Sequence, residues 1–334
     1  MHEIDLSSFD LRTDLIIENN IDNVKNNHYI DDDIEISDIY LSENNSLNKK
    51  EGKYISITFD DITDSNNYQK VMGVFIKEFL KILKYCKIKS KDKCLIIGLG
   101  NNKIISDALG SKTLEHIIVT RHLYLLNNVD EKYRNVAILE PKVMGITGID
   151  SFEIIKNVVS EIKPDFIIAI DSLCAINIKR LNKVIQISSS GITPGSGIGN
   201  TRTELSIDTL GVPVIAVGVP TVVDSTVIVS NAINYLMKKV SYLKKNINNN
   251  KDKLKPIDSI NYLVNDNELN DIEKKELLGY IGLLKENDLE QLIWEVLSPI
   301  DANLIVTPKE IDFLIEKMGN LIGEGLNKSL HRES

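Results

Sequence analysis

The chain has 334 residues, which is long enough for one large or two modest domains with a buried core. It contains 39 Lys and Arg against 48 Asp and Glu, a net charge of −9, and no concentrated basic patch, so direct nucleic-acid binding is disfavoured. The three cysteines have no zinc-ligand spacing, which favours a reducing compartment over a disulfide framework. The N-terminus is too acidic for a signal peptide, and the longest apolar stretch, 210–223, is too short to span a membrane.

Strands and helices alternate from residue 54 onward. Alternating apolar residues predict a strand over 54–59, and apolar residues every three to four positions predict a helix through 71–83. Ser151 is the expected cap of a second helix, and a third is predicted over 225–243. Short β-rich runs predict further strands at 94–97, 117–120, 136–139, 166–170, 184–187 and 214–217. This order predicts an α/β fold, a mostly parallel sheet with helices on both faces.

The predicted core is flanked by segments of different composition. Residues 1–53 are rich in Asn, Asp and Ser and predict loops and short elements laid on the body. The α/β core covers 54–243, and the Lys- and Asn-rich run 244–255 predicts an exposed linker. Residues 256–334 are predicted to form a mainly helical C-terminal region, and the chain shows no internal repeat.

Two aspartates lie where the crevice of an open α/β sheet is expected, beyond the carboxyl ends of its strands. Asp171 directly follows the predicted strand 166–170, and Asp107 follows a glycine turn after the strand 94–97. Two acids at neighbouring strand ends can share one proton, so that one is a base and the other an acid. Structural roles stay open at this point, with Asp107 near a helix N-terminus and Asp171 as a cap or a partner of Arg180.

His122 follows the predicted strand 117–120. A single histidine is more often a hydrogen-bonded structural residue than a ligand. Together with Asp107 and Asp171, however, it would complete an O,O,N ligand set of a kind suited to zinc or manganese. This candidate metal set is a variant, and the expected site otherwise contains no metal.

The segment 191–200 is dense in glycine and hydroxyl side chains. It could present backbone N–H groups to an anion or a developing oxyanion, or it could be a surface loop. There is no nucleophile elbow and no cysteine beside a histidine. A non-enzymatic, anion-binding α/β protein is therefore a second hypothesis. The expected supporting or groove residues are Gly195, Ser196 and Gly197 in this segment, together with His122.

Ordered blocks along nearly the whole chain resemble the germination protease family of endospore-forming bacteria. The blocks are 98–101, 107–110, 119–123, 143–149, 164–171, 186–188, 194–200, 218–224 and 307–310. The resemblance implies an endopeptidase that starts the degradation of small acid-soluble spore proteins during germination, in the cytoplasm of the spore core. It also implies a homotetramer and a core similar to that of the hydrogenase maturation endopeptidases. We expect no cofactor, no direct nucleic-acid partner and no membrane.

The resemblance also assigns roles to residues. The family's two essential aspartates fall on Asp107 and Asp171. Its self-processing site falls on 12–15, with cleavage between Asp14 and Leu15, which makes 1–14 a prosegment and 15–53 an N-terminal irregular segment. The chain departs from the family pattern at five positions. Ile16 stands in place of a small residue, Ile105-Ser106 in place of Thr-Pro, Ser111 in place of proline and Ser189 in place of aspartate.

The favoured mechanism is attack of water on a peptide carbonyl, with one of Asp107 and Asp171 ionised and the other protonated. The metal-assisted variant would use Asp107, Asp171 and His122.

Overall fold

The computed structural model describes residues 13–19, 25–43, 45, 47, 49–127, 129–195, 202–246, 268–300 and 304–331. The chain forms two compact units. One lies within residues 224–306, and the other lies within 12–223 and 307–334. The larger unit holds the sheet and the predicted acidic pair.

The sheet is mixed, so the prediction of a mostly parallel sheet is wrong. Its strands are β1 (Lys25–Asp31), β2 (Ile34–Leu41), β3 (Gly52–Thr58), β4 (Cys94–Gly98), β5 (Val136–Leu139), β6 (Phe166–Ala175), β7 (Val184–Ser188) and β8 (Val214–Asp224). They lie in the order β1-β2-β3-β7-β8-β6-β4-β5. In one half of the sheet, the neighbours β8, β6, β4 and β5 pair in parallel. In the other half, the neighbours β1, β2, β3, β7 and β8 pair antiparallel. The link 176–183 between β6 and β7 is too short for a helical crossover, so β7 runs opposite to β6 and β8.

Two local predictions for the sheet are also wrong. Residues 25–41 form a β-hairpin where loops and short elements were expected, and its turn residues Asp32 and Asp33 have φ of 50° and 66°. The segment 117–120 is apolar but is not a strand. It contacts β5 through Thr120, whose N–H donates to the Val136 carbonyl at 3.0 Å.

The helices confirm the α/β class and the helical C-terminus. The helix α1 (Ser65–Tyr85) is capped by Asp64, and α5 (Ser151–Ile162) begins at the predicted residue but is capped by Asp150, not by Ser151. None of the described helices is long and apolar enough to cross a membrane. The predicted linker begins within α7, and its residues beyond 246 lie outside the described residues. The other elements are α2 (Leu109–Leu114), α3 (Arg121–Leu125), α4 (Met144–Thr147), α6 (Ile207–Leu210), α7 (Ser225–Asn246), α8 (Asp271–Leu278), α9 (Glu286–Leu297), β9 (Ile305–Val306) and α10 (Ile311–Leu330).

Helices cover both faces of the sheet, as predicted. Alternate residues of a strand point to opposite faces. Ile96 and Ile168 belong to the large core shared with α1 and α10, whereas Leu95 and Ile167 pack in a second cluster with α5. By the same alternation Asp171 lies on the α5 face, which is therefore the face that carries the candidate site.

Candidate active site

Asp107 is held in a tight loop between β4 and α2. One of its carboxylate oxygens, Oδ2, accepts a hydrogen bond of 2.8 Å from the Asn101 N–H. Gly100 has φ of +96°, and a Cβ there would lie only 2.1 Å from the Asp107 carbonyl oxygen. A Cβ on Gly110 would lie 2.4 Å from the Leu99 carbonyl oxygen, so the start of α2 also approaches the end of β4 closely. The glycine turn thus fixes the Asp107 carboxyl at the end of β4.

Asp171 lies inside β6, because the strand continues past the predicted end at residue 170 to Ala175. Its side chain is buried, and Oδ1 accepts a 2.9 Å hydrogen bond from the Ser172 N–H. The end of β4 is joined to β6 directly beside it, where the Leu99 N–H donates to the Ile170 carbonyl at 2.8 Å. The alternative partner, Arg180, lies elsewhere and pairs with Glu18.

The two carboxyls influence each other electrostatically. Burial raises the pKa of Asp107. The hydrogen bond from the Asn101 N–H and the positive charge of Arg202 lower this pKa, but their effect is smaller than that of burial. Burial also raises the pKa of Asp171 well above its usual range, and the negative charges of Asp107 and Asp14 raise it further. Two coupled acids with raised pKa values favour a state in which the pair holds one proton. The structure therefore brings Asp107 and Asp171 together as the strand-end argument predicted.

Both acids line one cavity of about 70 Å³. Gly195, with φ of +75°, and Arg202 line it too. Ser196 and Gly197 lie outside the described residues. Arg202 was missed by the sequence reasoning, although it is the only cation between residues 184 and 237 and follows the glycine-rich segment. Its N–H donates to the Pro194 carbonyl at 3.2 Å, and its charge lowers the pKa of both acids.

His122 does not join the acidic pair. It is exposed on α3 and does not line the cavity of Asp107 and Asp171. Among the residues that the structure describes, no three His, Cys, Asp or Glu side chains form a group that could hold a metal ion. The candidate metal set of Asp107, Asp171 and His122 is therefore wrong. The error follows from the segment 117–120, which is not a strand and so does not deliver His122 to a strand end beside β4.

The predicted processing site lies along the end of β6. The Asp14 N–H donates to the Cys174 carbonyl at 3.1 Å, and the Cys174 N–H donates to Asp14 Oδ2 at 2.9 Å. The side chains of Leu15 and Ile16 are 0% and 1% exposed. Ile16 packs in a cluster with Ile39, Leu41 and Tyr54, so the fold accommodates a bulky residue at this position.

Glu18 holds the segment 13–19 in place through its side-chain carboxylate. Its Oε2 accepts from the Thr13 hydroxyl and, at 2.8 Å, from the Ile176 N–H. Its other oxygen lies 3.7 Å from Arg180 Nε. Burial raises the pKa of Glu18, against the hydrogen bonds and the Arg180 charge, which lower it. The residues on both sides of the Asp14–Leu15 bond are thus held in place.

Gln186 on β7 contacts the processing site directly. Its Nε2 donates to the Asp14 carbonyl oxygen at 2.9 Å, and its Oε1 accepts from the Ile16 N–H at 2.7 Å. Gln186, Asp14 and Ile16 line a second cavity of about 550 Å³. The sequence reasoning gave Gln186 no role, because the contacts join residues 170 and 172 positions apart and nothing local in the sequence indicates them.

Comparisons with known proteins agree with the resemblance. The family model described as germination protease matches residues 10–334. A germination protease of a Geobacillus species is 40% identical, over 99% of this chain and 96% of the relative. That of Bacillus licheniformis is 42% identical over 98% and 95%, and that of Bacillus subtilis is 43% identical over 85% and 79%.

Proposed function

Because this chain belongs to the germination protease family, we propose that it hydrolyses small acid-soluble spore proteins by using Asp107 and Asp171 as an acid and base pair. Family membership makes it a hydrolase, a spore germination endopeptidase that acts on protein substrates. Family membership also leaves no support for the second hypothesis, a non-enzymatic α/β protein that binds an anion. The observation that carries the proposed chemistry is the pair of electrostatically coupled carboxyls in one cavity.

The environments of the two acids differ, and the difference suggests their roles. Burial and the negative charges of Asp107 and Asp14 all raise the pKa of Asp171, so Asp171 holds the shared proton. Asp107 accepts a hydrogen bond from the Asn101 N–H, and this bond stabilises the ionised form of Asp107. Asp107 is then the base that activates water, and Asp171 is the acid that polarises the peptide carbonyl.

The reaction proceeds by addition and elimination. Asp107 takes a proton from water as the water oxygen bonds to the carbonyl carbon, while Asp171 donates its proton to the carbonyl oxygen. The resulting tetrahedral intermediate collapses when the C–N bond breaks. The carbonyl oxygen then returns its proton to Asp171, and Asp107 gives its proton to the leaving amine. Both carboxyls end in their starting protonation states, and one water has been consumed.

The proposal extends to maturation and assembly. The chain would be a zymogen that cuts itself between Asp14 and Leu15, and the docking of 13–19 on the face that carries Asp171 supports this. A homotetramer, a place in the spore core and a core like that of the hydrogenase maturation endopeptidases are parts of the same proposal, supported by the family resemblance.

The test compares the full-length chain with Asp107→Asn and Asp171→Asn, using a small acid-soluble spore protein as substrate, with and without a chelator. Cleavage is expected to disappear in both variants and to be unaffected by the chelator. Asp165→Asn is the matched control, because Asp165 lies just before β6 and its carboxylate accepts from the Lys93 N–H, a bond that an amide oxygen can also accept. Substantial cleavage by either site variant would reject the acid pair, and chelator-sensitive cleavage would reject the metal-free mechanism.

A further inference from the structure

Gln186 binds the main chain on both sides of Leu15. The two hydrogen bonds use both ends of one side-chain amide, with the donor on the Asp14 carbonyl and the acceptor on the Ile16 N–H. Both contacts are to main-chain atoms, so they are independent of the side chains in the segment. The Asp14 carbonyl belongs to the peptide bond that the proposed self-processing would break.

The register of the sheet places Gln186 and Asp171 on the same face. Asp171 pairs with Gly218 and Gly218 pairs with Gln186, so the three residues form one row across β6, β8 and β7. With strands 4.7–4.9 Å apart, the backbones of Asp171 and Gln186 are separated by about 10 Å. Gly218 itself has no side chain, and the space over it is occupied by the Leu173 side chain, whose Cδ1 would lie 2.6 Å from a Cβ on Gly218. Asp14 is hydrogen-bonded to Gln186, and its charge also raises the pKa of Asp171.

We propose that Gln186 is a substrate-binding residue of the protease, which holds the peptide backbone across the cleaved bond and donates a hydrogen bond to the carbonyl oxygen that is attacked. This inference rests on the proposed function, because it takes Asp14–Leu15 as a bond that the acid pair hydrolyses. A carbonyl oxygen has two lone pairs, so the hydrogen bond from Gln186 Nε2 leaves one lone pair for the proton that Asp171 would donate in the proposed reaction.

The hydrogen bond from Gln186 strengthens during the reaction. As water adds, negative charge develops on the carbonyl oxygen, and a donor already in place stabilises that charge without reorganisation. The bond to the Ile16 N–H does not change in this way and serves to position the chain. The two contacts therefore have different kinetic effects, and variants that remove one or both distinguish them.

The first experiment measures the rate of self-cleavage between Asp14 and Leu15 in the full-length chain by mass spectrometry. Gln186→Met removes both contacts and is expected to slow cleavage by roughly 10²- to 10³-fold. Ser56→Ala is the matched control, since Ser56 pairs with Gln186 in the neighbouring strand and its buried hydroxyl has no hydrogen-bond partner among the described residues. It is expected to cleave at the wild-type rate.

Gln186→Glu distinguishes a hydrogen-bond donor in the reaction from a residue with a purely structural role. The ionised carboxylate still accepts from the Ile16 N–H but cannot donate to the Asp14 carbonyl. Its protonated form regains a donor. The rate of Q186E relative to wild type is therefore expected to rise as the pH falls from neutral to mildly acidic, whereas the relative rate of Q186M stays flat. A flat relative rate for Q186E would overturn the donor role.

A second experiment leaves Gln186 intact and removes the N–H that it accepts. Ile16→Pro is compatible with the backbone, because Ile16 begins a short 3₁₀ helix and Leu15 before it has φ of −79° and ψ of 122°. Compared with Ile16→Val, which keeps the N–H, I16P is expected to cleave about 3- to 10-fold more slowly. The difference between I16P and I16V is expected to vanish in the Q186M background, because the two residues act through one contact.

The outcomes separate the inference from the proposed function. If the wild-type chain does not cut itself after Asp14, or if Asp107→Asn and Asp171→Asn still do, the proposed function fails and the role of Gln186 fails with it. If the wild type cuts, the aspartate variants do not, and Q186M cuts at the wild-type rate, only the role of Gln186 is overturned. An equal I16P effect in both backgrounds would also overturn it, even if Q186M were slow because of a folding defect.

Discussion

Replacing Gly100 by alanine is expected to slow cleavage by on the order of 10²-fold while leaving the chain folded. The backbone at Gly100 has φ of +96°, a conformation that costs an L-residue roughly 1–2 kcal/mol. The new methyl group would also lie 2.1 Å from the carbonyl oxygen of Asp107 and 2.7 Å from its Oδ1. The substitution therefore acts directly on the residue that we assign as the base.

The size of the effect follows from the distance. A carbon and an oxygen in ordinary contact are about 3.3 Å apart, so Asp107 must move by about 1 Å to admit the methyl group. Misplacement of a reacting group by that distance costs on the order of 10²-fold in rate. The strain alone amounts to a modest fraction of the stability of a domain and would not unfold it.

Gly211→Ala is the matched control for G100A. Gly211 has φ of +73°, and a Cβ there would meet nothing within 4 Å. Both variants carry the backbone strain, but only G100A displaces Asp107. Thermal unfolding and cleavage of a small acid-soluble spore protein are measured for each. Both variants are expected to lose Tm through the backbone strain, G100A more because its methyl group also displaces Asp107, and only G100A is expected to lose turnover. Wild-type turnover by G100A, or an equal loss in G211A, would refute the reasoning.

Three further predictions concern the acid pair and the docked segment. Asp171→Asn is expected to raise Tm at neutral pH, because burial and two negative charges raise the pKa of Asp171 in the fold and so destabilise it at every pH where this carboxyl is ionised in the unfolded chain. The difference in Tm between D171N and the wild type should shrink as the pH falls below the raised pKa of Asp171, and it should vanish below the usual value of 3.8. A difference in Tm that does not change with pH would contradict this explanation. Arg202→Met is expected to move the acidic limb of the rate profile to higher pH, because the Arg202 charge lowers the pKa of Asp107, whereas Arg202→Lys should move it less. Leu15→Ala removes a fully buried side chain and should weaken docking of the segment by about 2–5 kcal/mol, seen as faster cutting of residues 13–19 by an added protease.

The acid pair could be predicted from the sequence because its position depends on local features. A buried apolar run, a glycine turn and an acid at the strand end are all visible in the residues around Asp107 and Asp171. Parallel strands β4 and β6 are neighbours, and the carboxyl end of β4 lies beside Ile170 in the middle of β6, which brings the two acids together. The same reasoning failed for His122, since the apolar residues 117–120 pass beside β5 without forming a strand.

Other parts of the site depend on contacts that local patterns do not encode. The strand β1 has the polar sequence Lys-Asn-Asn-His-Tyr-Ile-Asp, and its hairpin turn uses Asp32 and Asp33 where Asn-Gly or Asp-Gly would have signalled it. The hairpin β1–β2 was therefore missed, and so was the surface on which Ile16 packs. Strand β7 was predicted, but its antiparallel pairing with β8, which puts Gln186 in one row with Asp171, was not.

Cleavage after Asp14 would change the electrostatics of the site that performs it. The cut creates a new α-carboxylate on Asp14, a residue whose side chain already raises the pKa of Asp171. A second negative charge beside coupled acids repels the product and opposes rebinding. Loss of residues 1–14 would remove the Asp14 charge, which is one of the causes that raise the pKa of Asp171. Under the proposed self-processing, the docked segment would be both the first substrate and a source of the negative charge that favours a proton on Asp171.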